Sequence, residues 1–524
     1  MEDPGHGRRL ARSTAIFSLA TGLSRILGLV REMVSSYLFG ASGRINAFTV
    51  AFQVPNLIRA LLADAAISSA FVPVFSELLE KGERKRAWRV ASSLFWLMLL
   101  GLGGLTALFM LLAPWVMEPF GAPGGSRALT VGLSRVLFPI VALLGISGIV
   151  VGILNSYEQF SVPALTPVFW NLAIIAGLAI GVPQVHSVDA KLYVYAGAVL
   201  AGTVIQVLLP IPWLRGRGGR LEVVVDWRDP AVKRVLRLMV PVTLGLGLIN
   251  FNALVDTLFA SRLINPDLAP TAIDKAFRIY MLPQGMFSVA VATVLFPLLS
   301  RLVARADFEG FRHTVGLGLR QIAFMLVPAS VISAVLAEPI VRLIYQRGHF
   351  TAYQTHVVAG ALAAFSLGLT FNGTMLMLNR AFFSLQSNWV PTLVALGNLG
   401  VNAGFDGAFY QLGVWGIPLS TSVVNIAGTA LLLVLLRRRM GRVEMGETAR
   451  AIWRIVVASL VLAGVSYGIW YGLDQALGGS IGAQIVSLGV ALLVGGASYL
   501  ISCRLLGVRE LEALLSLRSR PRHA

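Results

Sequence analysis

A single cysteine, Cys503, in 524 residues rules out an internal disulfide and any cysteine-rich metal or cluster site. Charge is scarce as well, at 13% of residues, and acidic charge is scarcest, with 25 Asp and Glu against 43 Lys and Arg. No GxxxxGK[ST] loop occurs, and the GRGG at Gly216 to Gly219 has neither a preceding strand nor the GxGxxG spacing of a dinucleotide site. Any work on a substrate must therefore draw on gradients or on the substrate's own supply. The six histidines are scattered, without an HxxxH pair or carboxylate spacing that would specify a metal. A Ser-His-Asp order also lacks context. No enzyme activity, metal or cofactor is expected.

What the chain has in abundance is apolar sequence, 56% of residues. That fraction, in runs long enough to span a bilayer, makes an all-α polytopic membrane protein. Spans are expected near 11–38, 45–75, 88–117, 128–154, 162–182, 190–214, 232–262, 274–303, 313–338, 353–382, 389–410, 414–436, 451–472 and 481–503. Fourteen spans put both termini on one side. Of the 43 Lys and Arg, 29 fall on that same side, in the N-terminal stretch, the loops near 81–89, 215–237, 301–312 and 437–454, and the C-terminal tail. The positive-inside rule then places both termini in the cytoplasm. These basic loops orient helices and touch anionic headgroups; nucleic acid is not an expected partner. Arg8, Arg9 and Arg12 ahead of an apolar stretch imitate a signal peptide, but Arg25 and Arg31 interrupt that stretch, so a retained first helix is expected.

A weak internal repeat is visible. NSYEQFSVPALTP at Asn155 to Pro167 aligns with FSLQSNWVPTLVA at Phe383 to Ala395, with Pro163 on Pro391, an offset of 228 that also carries Pro55 onto Pro283. The offset implies two six-helix units in the same orientation, and such parallel repeats commonly enclose a pathway whose access alternates. The expected domains are an N-terminal lobe (1–214), a cytoplasmic linker (215–231), a C-terminal lobe (232–436) and a last helix pair with its tail (437–524). Pro139 and the other mid-span prolines should kink or end helices.

The candidate chemistry begins in Ser24 to Pro73, which carries Arg25, Arg31, Glu32, Arg59 and Asp64 inside apolar helices. A charge at membrane depth is costly unless it faces protein or water, so these residues suggest a hydrated cavity. Arg25 and Glu32 share a helical face, whereas Arg31 lies about 240° around from Arg25 unless Gly28 permits a bend. Asn250, Asn252 and Asp256 in the seventh span and Arg278 in the eighth supply a second polar set. Arg59 and Arg278 come from corresponding helices of the two halves. Four arginines against Glu32, Asp64 and Asp256 leave a cationic surplus, and a guanidinium fork matches phosphate oxygens bidentately. An anionic, phosphorylated headgroup is the ligand this favours. The competing reading makes Arg31 with Glu32, or Arg59 with Asp64, local structural pairs, or lets arginines snorkel to an interface.

SRILGLVRE, INAFTVAFQVPNLIRALLADAAISSAFVPVFSE, ILNSYEQFSVPALTPVFWN and DTLFASRL resemble the MurJ (MviN) family, bacterial flippases for the lipid-linked peptidoglycan precursor lipid II. The resemblance runs from about Arg12 through Val508. It implies fourteen helices in two six-helix lobes plus a final pair, the fold of the multidrug/oligosaccharidyl-lipid/polysaccharide exporter superfamily. It implies that Arg25, Arg31 and Arg278 are cavity arginines, that Arg59 lies near the lipid pyrophosphate, and that 451–472 and 481–503 line a groove for the polyprenyl tail. Glu32, Asn46, Gln53, Asn56, Asp64, Asn252 and Asp256 are expected to support the cavity. Glu32 stands where an aspartate is frequent in the family, Asn46 where an aspartate is usual, Gln53 where some members have a lysine, and Phe277 and Met281 where acidic residues flank the arginine in some members. The segment near Arg278 should thus be more cationic here.

The expected function is alternating-access transfer of lipid II from the inner to the outer leaflet of the cytoplasmic membrane. The partners are lipid II, membrane lipids and cell-wall synthesis proteins. Alternatives are a flippase for another polyprenyl-linked oligosaccharide, a cation-coupled drug exporter, or a non-transporting cell-wall scaffold.

Overall fold

In the computed structural model, which describes residues 4–62, 65–387, 389–441 and 445–511, all the regular secondary structure of the described residues is helical. Its residues form two compact units, divided between Thr271 and Ala272.

The first unit holds α1 (Pro4–Phe39), α2 (Ile45–Leu62), α3 (Ala65–Glu80), α4 (Arg84–Val116), α5 (Arg127–Leu137), α6 (Pro139–Ser156), α7 (Ser161–Ala176), α8 (Val188–Leu208) and α9 (Pro230–Phe259). The expected span 45–75 is two helices, α2 and α3. The span 128–154 is also two, α5 and α6, because Pro139 cannot continue the ladder of α5 and instead takes the first position of α6, where a missing N–H costs nothing. Helix α1 packs on α7, α7 on α8, α4 on α6, and α2 and α3 both pack on α9. Leu254 and Leu258 of α9 pack on an apolar cluster that includes Val50, Val54 and Ile58 of α2. That seam is why the seventh span packs with the first six, although the sequence repeat groups it with the later ones.

Helix α10 (Ala269–Ala304) carries the chain into the second unit, which continues with α11 (Phe308–Val335), α12 (Ala337–Tyr345), α13 (Ala352–Ser384), α14 (Trp389–Phe409), α15 (Gly416–Met440), α16 (Met445–Leu477) and α17 (Ile481–Leu505). Short α12 has no counterpart among the expected spans; at nine residues it cannot cross a bilayer. Helix α13 packs on α15 and α11, and the last pair, α16 and α17, joins the rest through α11 and α12. Arg342 of α12 donates from Nη1 to both carboxylate oxygens of Asp474 on α16, each at 3.1 Å.

The repeat is legible in backbone geometry. After α6, Glu158 has φ +58° and Gln159 N donates to Leu154 O at 2.9 Å; after α13, Gln386 has φ +55° and Ser387 N donates to Phe382 O at 2.9 Å. Both pairs keep the offset of 228. They are left-handed caps that close the last turn of a helix and start the next. Each is followed by a helix with proline at its third residue, Pro163 in α7 and Pro391 in α14. Ala306 after α10, with φ +54° and Asp307 N donating to Leu302 O at 3.0 Å, has the same cap without that offset, so it is the cap together with the proline that repeats.

Nine helical stretches among the described residues are long and apolar enough to cross a membrane. Helices α1, α2, α9 and α10, which carry the candidate residues, fall outside that set.

Candidate functional site

The two arginines of α1 diverge, as their spacing requires in an unbroken helix. Arg25 is exposed, and no carboxylate among the described residues pairs with it. Arg31 is buried against α7. Its Nη2 donates to Glu32 Oε1 at 2.7 Å, its Nη1 donates to Asn171 Oδ1 at 3.2 Å, and its guanidinium lies 4.7 Å from the centroid of the Trp170 ring. Asn171 in turn donates from Nδ2 to Pro167 O at 2.9 Å and to Ser24 O at 3.3 Å. Gly28 faces α7, where a Cβ would stand 3.9 Å from Asn171 Oδ1, an ordinary contact. A guanidinium this deep is tolerable because carboxylate, amide and indole face all meet it. Its Nε is buried with no hydrogen-bond partner among the described residues.

On α2 the spacing 49, 53, 56 places Thr49, Gln53 and Asn56 on one face, and all three are half-buried. Asn56 Oδ1 accepts from Arg59 Nε at 3.1 Å and Nη2 at 2.9 Å, which orients the half-buried guanidinium along the helix. Asp64 lies outside the described residues. Asn46 does something more structural. Its Nδ2 donates to Ala41 O, Gly43 O and Asp267 O at 3.2, 3.1 and 2.7 Å, while its Oδ1 accepts from Thr271 N at 2.9 Å. It stitches the α1–α2 turn to the entry of α10. An aspartate could not donate to those carbonyls unless protonated, so the amide fits this environment.

Asn252 and Asp256 of α9 lie together, Nδ2 to carboxylate at 3.4 and 3.5 Å. They sit two residues out of phase with Leu254 and Leu258, about 200° around the helix, and so face away from the seam with α2. In the second unit, Arg278 is half-exposed and its Nε donates to Asp274 Oδ2 at 2.8 Å. Phe277 and Met281 carry no charge, but a carboxylate arrives from one turn earlier on the same helix. The i, i+4 spacing of Asp274 and Arg278 was the available signal.

Sequence reasoning missed three further groups. Trp170 and Asn171 hold Arg31 from a helix 140 residues away, which no local pattern reveals. Lys275 is 2% exposed, with its ammonium 5.0 Å from the Tyr345 ring centroid. Asn402, Asp406 and Ser420 are buried together where α14 meets α15; Asn402 Nδ2 donates to Asp406 Oδ2 at 3.0 Å and Ser420 Oγ donates to Asn402 Oδ1 at 3.3 Å. Their four-residue spacing inside an apolar span is the same signal that singled out Asn252 and Asp256.

Cationic side chains held inside helices with a final appended pair invite comparison with known transporters. The family model described as lipid II flippase MurJ matches residues 35–490. The chain belongs to the MurJ lipid II flippase family. Arg25, Arg31 and Glu32 stand just ahead of the matched stretch. A relative from Vibrio cholerae, named a probable lipid II flippase MurJ, is 30% identical over 522 residues, covering 96% of this chain and 97% of its own. Another from Burkholderia cenocepacia, a lipid II flippase MurJ, is 31% identical over 471 residues, covering 87% and 90%. A solved lipid II flippase MurJ in an inward closed conformation superposes with a TM-score of 0.78 at 24% identity, over 94% of this chain and 99% of that one. An inward-facing MATE family multidrug resistance transporter shares the fold more distantly, with a TM-score of 0.67 at 18% identity over 81% and 94%.

Proposed function

We propose that this chain moves lipid II from the inner to the outer leaflet of the bacterial cytoplasmic membrane by alternating access, without covalent chemistry. Arg25, Arg31, Arg59 and Arg278 supply guanidinium groups for the pyrophosphate, and Glu32, Gln53, Asn56, Asp64, Asn252 and Asp256 tune them. Family membership supports the reading. The observation that carries it within the molecule is Arg25, a guanidinium midway along a helix with no protein carboxylate beside it among the described residues. An arginine so placed in a membrane protein needs water or an anion, and a diphosphate provides two phosphates for its fork. The partnered arginines add to this: each is already oriented, so less side-chain entropy is lost when an anion arrives. Outward movement of negative charge is also favoured by an inside-negative potential, about 2.3 kcal/mol per elementary charge per 100 mV.

The test is depletion of the protein followed by assay of lipid II on each leaflet. Lipid II trapped inside is the expected result. Normal outward exposure of lipid II with another polyprenyl-linked glycan trapped would give the role to that glycan; normal exposure with misassembled wall enzymes would make the chain a scaffold.

The same reading puts both termini in the cytoplasm. Gly82 and Gly441 have φ near +80°, so cysteines are better placed at exposed neighbours. An impermeant thiol reagent should label Lys85→Cys and Arg438→Cys only from the cytoplasmic side and Ala122→Cys only from outside. Outside labelling at Lys85→Cys would sink the topology.

A further inference from the structure

The linker between α8 and α9 is fixed to α4 rather than hanging free. Trp96 Nε1 donates to Glu222 O at 2.9 Å, Glu222 N donates to Ser92 Oγ at 3.0 Å, and Asp226 N donates to Ser93 Oγ at 3.2 Å. Tyr157 adds a bond from its hydroxyl to Arg217 O at 2.7 Å. Burial then alternates along the segment: Val224 and Asp226 are half-buried, while Val223, Val225 and Trp227 are 81, 45 and 57% exposed. A pinned segment that turns two valines and a tryptophan outward has an apolar ridge that no neighbour among the described residues covers.

The surroundings say what covers the ridge. Residues 215–237 carry seven basic and three acidic residues. The guanidinium of Arg228 and the ammonium of Lys233 lie 5.2 and 6.0 Å from the Trp227 ring centroid. Of the acids, Asp226 accepts from Arg228 N and Asp229 N, and Asp229 caps α9 by accepting from Ala231 N at 2.6 Å. Asp226 is thus committed to the backbone, Asp229 also pairs with Arg86 of α4 at 3.7 Å, and of the three acids Glu222 alone approaches a linker arginine, Arg220, at 4.0 Å. The level along α4 fits as well. Ser92 to Trp96 lie about 12–18 Å along the axis from Arg84, between the charged start at 84–89 and the exposed apolar stretch that begins at Leu100. That junction is where a membrane protein meets headgroups, the depth that tryptophan prefers.

We propose that residues 220–229 form a docking strap for the bilayer surface, in which Val223, Val225 and Trp227 enter the lipid interface while Arg220, Arg228 and Lys233 bind the phosphates of anionic phospholipids. The strap is independent of lipid II recognition and of which side the termini occupy.

The test places a polarity-sensitive fluorophore on Val225→Cys in the full-length protein. Native Cys503 is fully buried, and its labelling in the parent protein sets the background. In nanodiscs of phosphatidylcholine with phosphatidylglycerol, headgroup-level nitroxide lipids should quench the probe and aqueous iodide should not. Exchanging Arg220, Arg228 and Lys233 for glutamine should lower phosphatidylglycerol enrichment by about fivefold per charge, with unchanged protection of Cys503 as the folding control. Should Val225→Cys misfold, Val223→Cys serves in its place. Iodide quenching without nitroxide quenching in every lipid mixture would overturn the strap. Equal nitroxide quenching with and without phosphatidylglycerol would overturn its anionic selectivity. Protection from both quenchers only in native membranes would assign the ridge to a protein partner instead.

Discussion

Replacing Arg320 by alanine should open the C-terminal end of the second unit, at a cost of about 3–5 kcal/mol. Arg320 on α11 and Glu510 just beyond α17 form an ion pair at 2.9 Å with both side chains more than nine-tenths buried. Removing one partner leaves the other charge stranded, which costs far more than the net worth of the pair. The surroundings offer no relief: Arg320 Nη1, Glu510 Oε2 and the nearby Thr448 Oγ1 are already buried without partners. The lone cysteine is a built-in reporter, because Cys503 sits in the same apolar cluster as Phe324, Tyr499, Val508 and Leu511. If labelling requires local opening, its rate should rise on the order of a hundredfold to a few thousandfold in Arg320→Ala and in Glu510→Ala, since each 1.36 kcal/mol is a factor of ten. The double variant Arg320→Met with Glu510→Leu should label near the parental rate, because apolar side chains of similar volume need no partner. Parental labelling of Arg320→Ala would show that the pair does not hold the end closed.

This pair also marks where sequence reading stops. Arg320 lies in an apolar span and Glu510 in a basic tail, 190 residues apart, and nothing local connects them. Features set by period and composition were legible: every helix except short α12 lies where apolar runs predict a span, the offset of 228 recurs in the paired caps at Glu158 and Gln386, and Pro139 starts a helix as its chemistry demands. Features set by who packs on whom were not. The seam of Leu254 and Leu258 against α2 depends on the rotation of α9, which hydropathy does not fix when most faces of a helix are apolar. Likewise, the roughly 240° between Arg25 and Arg31 was readable from spacing, but not that Trp170 and Asn171 would wait on α7 for the second of them.

That divergence yields the prediction with the largest functional effect. Arg25→Ala should abolish appearance of the lipid II headgroup on the outer leaflet of reconstituted vesicles while leaving Cys503 labelling at the parental rate, because Arg25 is exposed and supports no packing. Arg25→Lys should recover only part of the activity, about ten- to a hundredfold below the parent, since an ammonium keeps the charge but loses the bidentate geometry. Arg31→Ala should fail differently. It removes the guanidinium 2.7 Å from a carboxylate that is 6% exposed, and so should lower folded protein as well as transport. Combining Arg31→Met with Glu32→Leu should restore the folded yield by removing both charges together, and transport then separates the two roles of Arg31. We expect it to stay lost, because only the guanidinium can trade Glu32 for a phosphate. Full transport by the double variant would make Arg31 a structural pin between α1 and α7 and leave substrate recognition to the other arginines.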